Sequence, residues 1–414
     1  MSYLPLDQMA FRDGPNLDAF GRLRVSNSAT IFDSQQEYSS GPLVVENVVA
    51  GTATAVHSTA TNSTTLSTFA TTANNRAMRQ SKVYWRYQPG KSQLVKMTGV
   101  LAKSGTPSGT AVARLGYYDD SNGVFFGRDS TGYFVCVRTN TSGSVVDTRT
   151  YQSNWNIDKL NGSGSSGEVI DFTKAQIFII DLQWLGVGRV RFGVQGGSGI
   201  IYVHEILNAN FLSVVYMRTA NLPLRYEVFN VGGTGSIISL ECICMALESE
   251  GGVQDEGGYS FCAANKGTSI SLPNAATLTP VLTLRLRDTF NGITYRGHVH
   301  INSLIMSVAN QAIYWELIWN AATLTGPAYT NVDATYSGVE FDVAATAYTG
   351  GTVIQCGYEA AATAANRVVG INAAIDKLIL ARTYANVRDT VTLVARGLGG
   401  VATIYAAMNF EEQY

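Results

Sequence analysis

The chain has 414 residues, 46% of them hydrophobic, which is enough apolar mass for two or three domains and excludes a disordered protein. Only 14% are charged, against about 25% in a typical soluble domain, and the formal net charge is −2. Without a basic excess or a run of 18 apolar residues, neither direct binding to nucleic acid nor a membrane-spanning helix is expected. The charge deficit favours burial of surface in an assembly, with a threonine- and serine-rich surface as the alternative explanation.

Residues 1–40 are predicted to form an extended arm. Short apolar groups are separated there by glycine, proline, asparagine and aspartate with no sustained period, so the segment cannot bury enough apolar surface by itself. We expect it to be held by the body of the protein or by a neighbouring subunit. The opening MSYLPLDQMAFRDG also lacks the basic and apolar segments of a signal peptide, and none is expected.

Residues 41–250 are predicted to form the first β-domain, because apolar and polar residues alternate with the two-residue period of antiparallel strands. The Asn122-Gly123 pair is a strong hairpin signal. Two weak polar strands are expected between residues 51 and 72. The other predicted strands include residues 43–49, 82–88, 92–101, 111–118, 123–128, 132–139, 145–151, 226–229 and 236–247.

The stretch 176–206 (QIFIIDLQWLGVGRVRFGVQGGSGIIYVHEI) is predicted to form three strands of this domain joined by two glycine turns. Its first strand has a bulky face, which we expect to lie in the core: Phe178, Ile180, Leu182 and Trp184. The stretch carries no catalytic pattern, so it is interpreted as scaffold.

Residues 251–258, at the end of the acidic, glycine-rich run SEGGVQDEGG, are predicted to be a linker, and residues 259–414 a second β-domain. Its predicted strands cover residues 278–286, 293–307, 312–319, 339–343, 352–358, 375–382 and 390–395. Residues 359–366 are expected to form one short helix or a loop. The predicted fold is therefore all-β: two antiparallel β-sandwich (jelly-roll-like) domains with an extended N-terminal arm.

Motifs for cofactors and metals are weak. Residues 162–167 (GSGSSG) match a dinucleotide fingerprint only formally, because no strand precedes and no helix follows them. His298 and His300, like Cys242 and Cys244, are two residues apart and would share one face of a strand, but zinc-site spacing is absent. The five cysteines are scattered and odd in number, which argues against a disulfide framework.

Other polar groups have two interpretations each. Residues 119–122 (DDSN) offer oxygen ligands for calcium, but an Asx-type turn explains them as well. Abundant aromatic residues are more typical of cores and interfaces than of sugar stacking. Acidic residues of the predicted strands are interpreted as ion pairs rather than glycosidase carboxylates; they are Asp181, Glu205, Glu227, Glu316 and Glu340.

Residues 16–26 (NLDAFGRLRVS) resemble the "DAFGRLRVS" opening of a group of bacteriophage virion structural proteins. The resemblance continues through residues 116–127 (GYYDDSNGVFFG), 152–160 (QSNWNIDKL), 171–193, 203–208 and 221–228, and so covers roughly residues 16–250. It implies a structural component of a tailed-phage particle and supplies no catalytic motif. The position on the particle, whether capsid, neck, tail or fibre, stays open.

These observations predict a non-enzymatic virion protein, assembled in the host cytoplasm, whose partners are other virion proteins and further copies of itself. No catalytic residue, cofactor or metal is expected. The arm would be the anchor, through Phe20, Leu23 and Val25 as apolar contacts and Arg22 and Arg24 as polar ones. The alternative is a receptor-binding tail fibre or spike whose distal domain recognises a host surface glycan.

Overall fold

The computed structural model describes residues 17, 18, 21, 28–68, 74–197, 199–232, 235–252, 258–361, 367–370 (backbone alone) and 379–414. Within these residues the sole regular helix is a short 3-10 turn, Gln152–Asn154, and the regular structure is otherwise β-strand. The prediction of an all-β fold is therefore confirmed. Arm residues Phe20, Arg22, Leu23, Arg24 and Val25 lie outside the described residues, as do 253–257 of the proposed linker.

The chain separates into two compact units. The first comprises Met1–Ser81 and Trp85–Gln254, and the second comprises Lys82–Tyr84 and Asp255–Tyr414. The predicted strand at 82–88 is wrong, because the described backbone there makes only an isolated bridge between Trp85 and Leu222.

The first unit is built from two antiparallel sheets. Its strands, in chain order, are β1 Ala29–Ser34, β2 Val45–Ala50, β3 Thr54–Ser58, β4 Ser63–Ser67, β5 Asn75–Ser81, β6 Ser92–Ser104, β7 Ala111–Tyr118, β8 Gly123–Arg128, β9 Tyr133–Thr139, β10 Val146–Tyr151, β11 Gln176–Leu182, β12 Val190–Gly196, β13 Gly199–Ile206, β14 Leu224–Asn230 and β15 Ser239–Glu250. Sheet A has the order β13-β12-β11-β6-β15-β4-β3, with β1 also paired to β15. Sheet B has the order β10-β9-β8-β7-β14-β5-β2.

The core of the first unit lies between the two sheets. Phe178 of β11 is 1% exposed, and its ring centroid is 5.1 Å from that of Phe126 on β8. Phe192 of β12 is 5.4 Å from the same ring. Phe178, Ile180 and Leu182 therefore fill the core as predicted, because alternate residues of a strand share one face.

The prediction that Trp184 lies on the buried face of this strand is wrong. Strand β11 ends at Leu182, and Trp184 is only half-buried. It packs edge-on against Tyr87, with centroids 6.0 Å apart, and its indole N–H donates to the carbonyl of Met217 at 3.1 Å. We therefore expect Trp184→Ala to destabilise less than truncation of a core phenylalanine.

The predicted hairpin at Asn122-Gly123 is confirmed. Strands β7 and β8 pair from Tyr118 opposite Gly123, and Asp119 N–H donates to the Asn122 carbonyl at 2.8 Å. Gly123 has a φ of +142°, and a Cβ there would lie 2.1 Å from Cβ of Tyr118. Only glycine therefore fits this corner.

The second unit is also a pair of antiparallel sheets. Its strands are β16 Tyr259–Ala264, β17 Ile270–Leu272, β18 Thr279–Leu286, β19 Thr289–Phe290, β20 Ile293–Thr294, β21 His298–Ala309, β22 Ile313–Trp319, β23 Thr323–Thr325, β24 Thr330–Asn331, β25 Val339–Asp342, β26 Ala347–Thr349, β27 Thr352–Glu359, β28 Arg367–Gly370, β29 Thr390–Gly397 and β30 Ala402–Gln413. Sheet C has the order β16-β30-β21-β28, with β17 also on β30, and sheet D the order β24-β25-β18-β29-β22-β27. The unit also contains two two-stranded sheets, the hairpin β19-β20 and the pair β23-β26.

Strand β30 was missed by the sequence reading, although it is central in sheet C. Its buried positions alternate with half-exposed ones and end in an acid, Glu412, which is fully buried. Ser337 Oγ and Gly338 N–H donate to that carboxylate at 2.7 and 2.6 Å, and the Tyr295 hydroxyl is a third donor. Burial, followed by the Glu412 charge, raises the pKa of Tyr295. Because its hydrogen bonds are satisfied, Glu412 can occupy a position where an apolar residue is expected.

Candidate functional site

The outer face of sheet A carries a buried ion pair. Asp181 of β11 and Arg191 of β12 lie opposite each other in register, and both alternate with core residues, so they point away from the core. The Arg191 Nη2 atom contacts Asp181 Oδ2, and Nε donates to the same oxygen at 3.2 Å. Tyr202 donates its hydroxyl to that oxygen at 3.0 Å, and its ring centroid lies 4.2 Å from the Arg191 guanidinium. Asp181 and Arg191 are 0% and 1% exposed.

Two residues of the predicted arm lie against this ion pair. The Leu17 carbonyl accepts a hydrogen bond from Arg191 Nη2, and the Asp18 carbonyl accepts one from Arg189 Nη2 at 3.2 Å. Leu17 and Asp18 are buried. The arm is therefore held by the body of its own chain at this point, through guanidinium groups that bind its backbone carbonyls.

A concave apolar surface adjoins the arm. A cavity of about 760 Å³ is lined by Gly21 of the arm and by residues of the loops 183–189 and 207–211. Exposed apolar side chains, of which Phe211 is the most exposed at 76%, lie on these loops and on the residues that follow. We name the group the arm-side apolar surface; it consists of Leu185, Leu207, Phe211, Leu212, Val214 and Val215.

Backbone hydrogen bonds hold these apolar side chains outward. Asn208 is buried and donates Nδ2 to the Gly188 carbonyl at 2.7 Å, which ties the two loops together. The Asn208 carbonyl accepts the N–H groups of Phe211 and Leu212 at 3.1 and 3.2 Å. Since these contacts fix the loop backbone, the exposed apolar groups form a preformed surface. Surfaces of this kind mark protein interfaces.

A second cluster lies on the outer face of sheet B. Arg138 binds Asp147 through two hydrogen bonds, Nε to Oδ1 at 2.7 Å and Nη2 to Oδ2 at 3.0 Å. Arg114 Nη2 lies 3.2 Å from Glu227 Oε2, and the Arg114 guanidinium lies 4.1 Å from the Phe229 ring centroid. Arginine charges are therefore matched by acids and by aromatic faces, which makes the cluster a packed network.

The network predicts a dependence of stability on pH. Burial acts to raise the pKa of Asp147, but hydrogen bonding and charge from Arg138, with the charges of Arg114 and Arg149, hold it below its usual value. A depressed folded pKa contributes stability above the unfolded pKa of about 4, and that stability is lost as the pH falls through the lower folded value. We expect the first unit's melting temperature to fall below about pH 4, and to fall less steeply in Asp147→Asn, as measured by calorimetry. Equal slopes in both proteins would contradict this assignment.

The motifs considered for metals and cofactors have structural roles. Asp119 Oδ1 accepts the N–H groups of Ser121 and Asn122, both at 2.7 Å, which is an Asx turn. A β-bulge between Cys242 and Cys244 leaves the first buried and the second exposed, so the predicted shared face is wrong. Nowhere in the described part of the chain do three or more His, Cys, Asp or Glu side chains gather as a metal site requires. The described ranges also hold no helix of the length and apolarity needed to cross a bilayer.

Four of the five candidate carboxylates lie in ion pairs with arginine. Asp181 pairs with Arg191. Glu205 Oε2 lies 3.5 Å from Arg189 Nη1, and Glu340 Oε1 lies 2.6 Å from Arg285 Nε and 3.0 Å from Arg388 Nη1. Glu227 belongs to the sheet B network. Glu316 differs, because its partner is a tyrosine hydroxyl.

Comparison with known proteins gives no family. No protein-family model and no characterised protein sequence matches the chain. Among solved structures, it is similar to a protein of unknown function from Shewanella oneidensis MR-1, with 9% identity and a TM-score of 0.36, over 53% of this chain and 85% of that one. An endo-1,3-beta-glucanase from Streptomyces sioyaensis has 9% identity and a TM-score of 0.36, over 54% and 97%. Lectin I-B4 from Griffonia simplicifolia has 11% identity and a TM-score of 0.30, over 53% of this chain and 99% of the lectin chain. Similarity at this level carries no inference about function.

Sequence reasoning missed the arm-side apolar surface. It identified the arm and the stretch 176–206 separately, and treated the latter as scaffold only. The available signal was the run of apolar residues at 211–215 (FLSVV), which does not fit a buried strand because turns surround it. The contact of Arg191 with Leu17 spans 174 residues, so no local pattern could reveal it.

Proposed function

We propose that the protein is a non-enzymatic structural component of a tailed-phage particle that assembles through its N-terminal arm and the arm-side apolar surface. The observation that carries the proposal is the juxtaposition of a held arm segment, Leu17–Asp18, with an exposed apolar concavity. An apolar surface of this extent is unfavourable in water and is stabilised when a partner covers it. The low charge content of 14% and the resemblance of residues 16–26 point in the same direction.

The partners proposed are other virion proteins and further copies of this chain, with the virion as its location. A non-enzymatic role is proposed because four of the five candidate carboxylates are in ion pairs. An ion pair with arginine favours the charged form of a carboxylate, and so disfavours the protonated form that a glycosidase's general acid needs.

The proposal is tested by two changes in the chain produced during phage propagation. Deletion of residues 1–16 removes the arm upstream of the held segment, and Phe211→Asp places a charge on the arm-side apolar surface. We expect either change to lower the copy number per purified particle about tenfold or more, because truncated or charged interface anchors lose most of the binding energy. Quantitative mass spectrometry of particles provides the measurement.

Tyr38→Asp is the matched control, since Tyr38 is 88% exposed in the same unit and lies outside the apolar surface. It should leave incorporation unchanged. Normal incorporation of both the deletion and Phe211→Asp would overturn the proposal. Glycan recognition by the second unit is a second candidate function, favoured by a pair of tyrosine rings on sheet D.

A further inference from the structure

The outer face of sheet D presents a group of polar aromatic residues. Tyr314 on β22 lies opposite Tyr358 on β27, and Glu316 lies opposite Cys356. The alternate residues of β22 belong to the core of the second unit. The period of two therefore directs Tyr314 and Glu316 to the outer face, beside the last strand of the sheet.

The two tyrosine rings form one continuous surface. Their centroids are 5.0 Å apart with an interplanar angle of 46°, and Tyr358 is 73% exposed. The Tyr314 hydroxyl donates to Glu316 Oε1 at 2.8 Å. Within the described residues this is the side-chain hydrogen bond that Glu316 makes, which leaves Oε2 as an available acceptor.

One further side chain completes the group. The Arg396 guanidinium lies 6.0 Å from the Tyr314 ring centroid, and its Nη1 donates to the Ala275 carbonyl at 3.2 Å. We name this group the tyrosine platform; it consists of Tyr314, Tyr358, Glu316 and Arg396.

The platform matches the chemistry of a sugar ring. One face of a pyranose presents C–H bonds, which are attracted to the negative π face of an aromatic ring. Its edge presents adjacent hydroxyls, which can donate to a carboxylate and accept from a guanidinium. We propose that the tyrosine platform binds a saccharide, with a pyranose ring stacked on Tyr358 and Tyr314 and its hydroxyls bonded to Glu316 and Arg396.

Two other ligand classes fit less well. The Glu316 carboxylate would attract an organic cation, but the Arg396 guanidinium already lies 6.0 Å from the Tyr314 ring centroid, and its charge opposes a second cation. A protein partner prefers an apolar centre with a polar rim, whereas the centre of this surface is the Glu316 carboxylate. The saccharide proposal is independent of the assembly proposal, because it rests on different residues in the other unit.

Binding is tested with the full-length protein on an array of printed bacterial surface oligosaccharides, followed by titration of the best-bound saccharide in solution. Tyr358→Ala and Glu316→Gln are each expected to weaken binding about tenfold, through loss of a stacking surface and of a charge-assisted hydrogen bond. Tyr336→Ala is the matched control, because Tyr336 is 65% exposed in the same unit and lies outside the platform. It should bind as the unchanged protein does.

Cys356 provides a readout that a purely structural role would not alter. It is exposed directly opposite Glu316, and Cys262 is an exposed cysteine elsewhere in the unit. We expect the bound saccharide to slow alkylation of Cys356 by iodoacetamide several-fold and to leave Cys262 unchanged, as measured by peptide mass spectrometry. Alkylation tests the unchanged protein, so the result does not depend on the folding of a variant.

The proposal is overturned if no printed saccharide binds, or if Tyr358→Ala and Glu316→Gln both bind the saccharide and protect Cys356 as well as the unchanged protein does. It is also overturned if Tyr358→Ala changes the sedimentation coefficient of the free protein, since the surface would then be an interface between copies. The Phe211→Asp variant separates the two proposals, because it should lose incorporation into particles and keep saccharide binding.

Discussion

Arg191→Met is expected to lower the free energy of unfolding of the first unit by about 3–5 kcal/mol, because it leaves the Asp181 carboxylate buried without its counter-ion. Methionine keeps most of the side-chain volume, so the loss measures charge and hydrogen bonding rather than a cavity. The change also removes the donor to the Leu17 carbonyl. We therefore expect limited proteolysis near residues 17–21 to become faster. Calorimetry, with the transition of each unit assigned, provides the stability measurement.

Lys96→Met is the matched control for this prediction. Lys96 is on the neighbouring strand β6 and pairs with Glu248 at 2.7 Å, but its side chain is 37% exposed. Exposed ion pairs contribute about 0–1 kcal/mol, so the control should be nearly neutral. If Arg191→Met costs no more than Lys96→Met, the ion pair does not hold the arm in the way described. The comparison matters for assembly, because Arg191 and Arg189 both bind the backbone of the arm segment.

Phe178→Ala is expected to destabilise the first unit by about 3–5 kcal/mol, the range measured for large buried side chains. Phe178 contacts Phe126 across the two sheets, and its ring centroid lies 6.2 Å from that of Phe172, so its removal leaves a cavity beside these two aromatic rings. Ile177→Ala, next to it on the opposite face and 39% exposed, should cost clearly less. Denaturant unfolding followed by tryptophan fluorescence and circular dichroism would measure both variants.

Trp184→Ala is expected to destabilise the first unit less than Phe178→Ala and more than Ile177→Ala. The reason is that the indole is half-buried and makes one hydrogen bond and one edge contact. An effect as large as that of Phe178→Ala would show that the residues after β11 contribute as much to the core as the strand itself.

Local patterns were sufficient for much of the fold. The alternation at residues 111–118 and 123–128, with Asn122-Gly123 between them, gave β7 and β8 to the residue, because the period of two and the turn geometry are local properties. The predicted strand at 293–307 is only partly correct, since residues 298–307 lie in β21. It is interrupted at 295–297, where Tyr295 turns inward to Glu412, a contact over 117 residues that no local pattern reveals.

Strand β30 shows the limit of pattern reading. Its alternation is regular, but two of its six buried positions are alanines and the last is an acid, so the apolar signal is weak. The central place of β30 in sheet C comes from pairing with β16, β17 and β21, which are distant in sequence. Such pairings depend on the whole fold, because backbone hydrogen bonds between strands do not distinguish one sequence from another.

The fold class, the glycine-containing hairpin at Asn122-Gly123 and most strand positions could be predicted from the sequence alone. These follow from short-range sterics and from the periodicity with which apolar residues must face a core. The long-range contacts appear only in the three-dimensional structure: Arg191 binds the Leu17 backbone, Phe211 and Gly21 line one cavity, and Tyr314 packs against Tyr358. Each of these contacts joins residues that are far apart in sequence, so it depends on strand register and loop closure. The free energy that stabilises such contacts comes from packing and desolvation, which no local stretch of sequence contains.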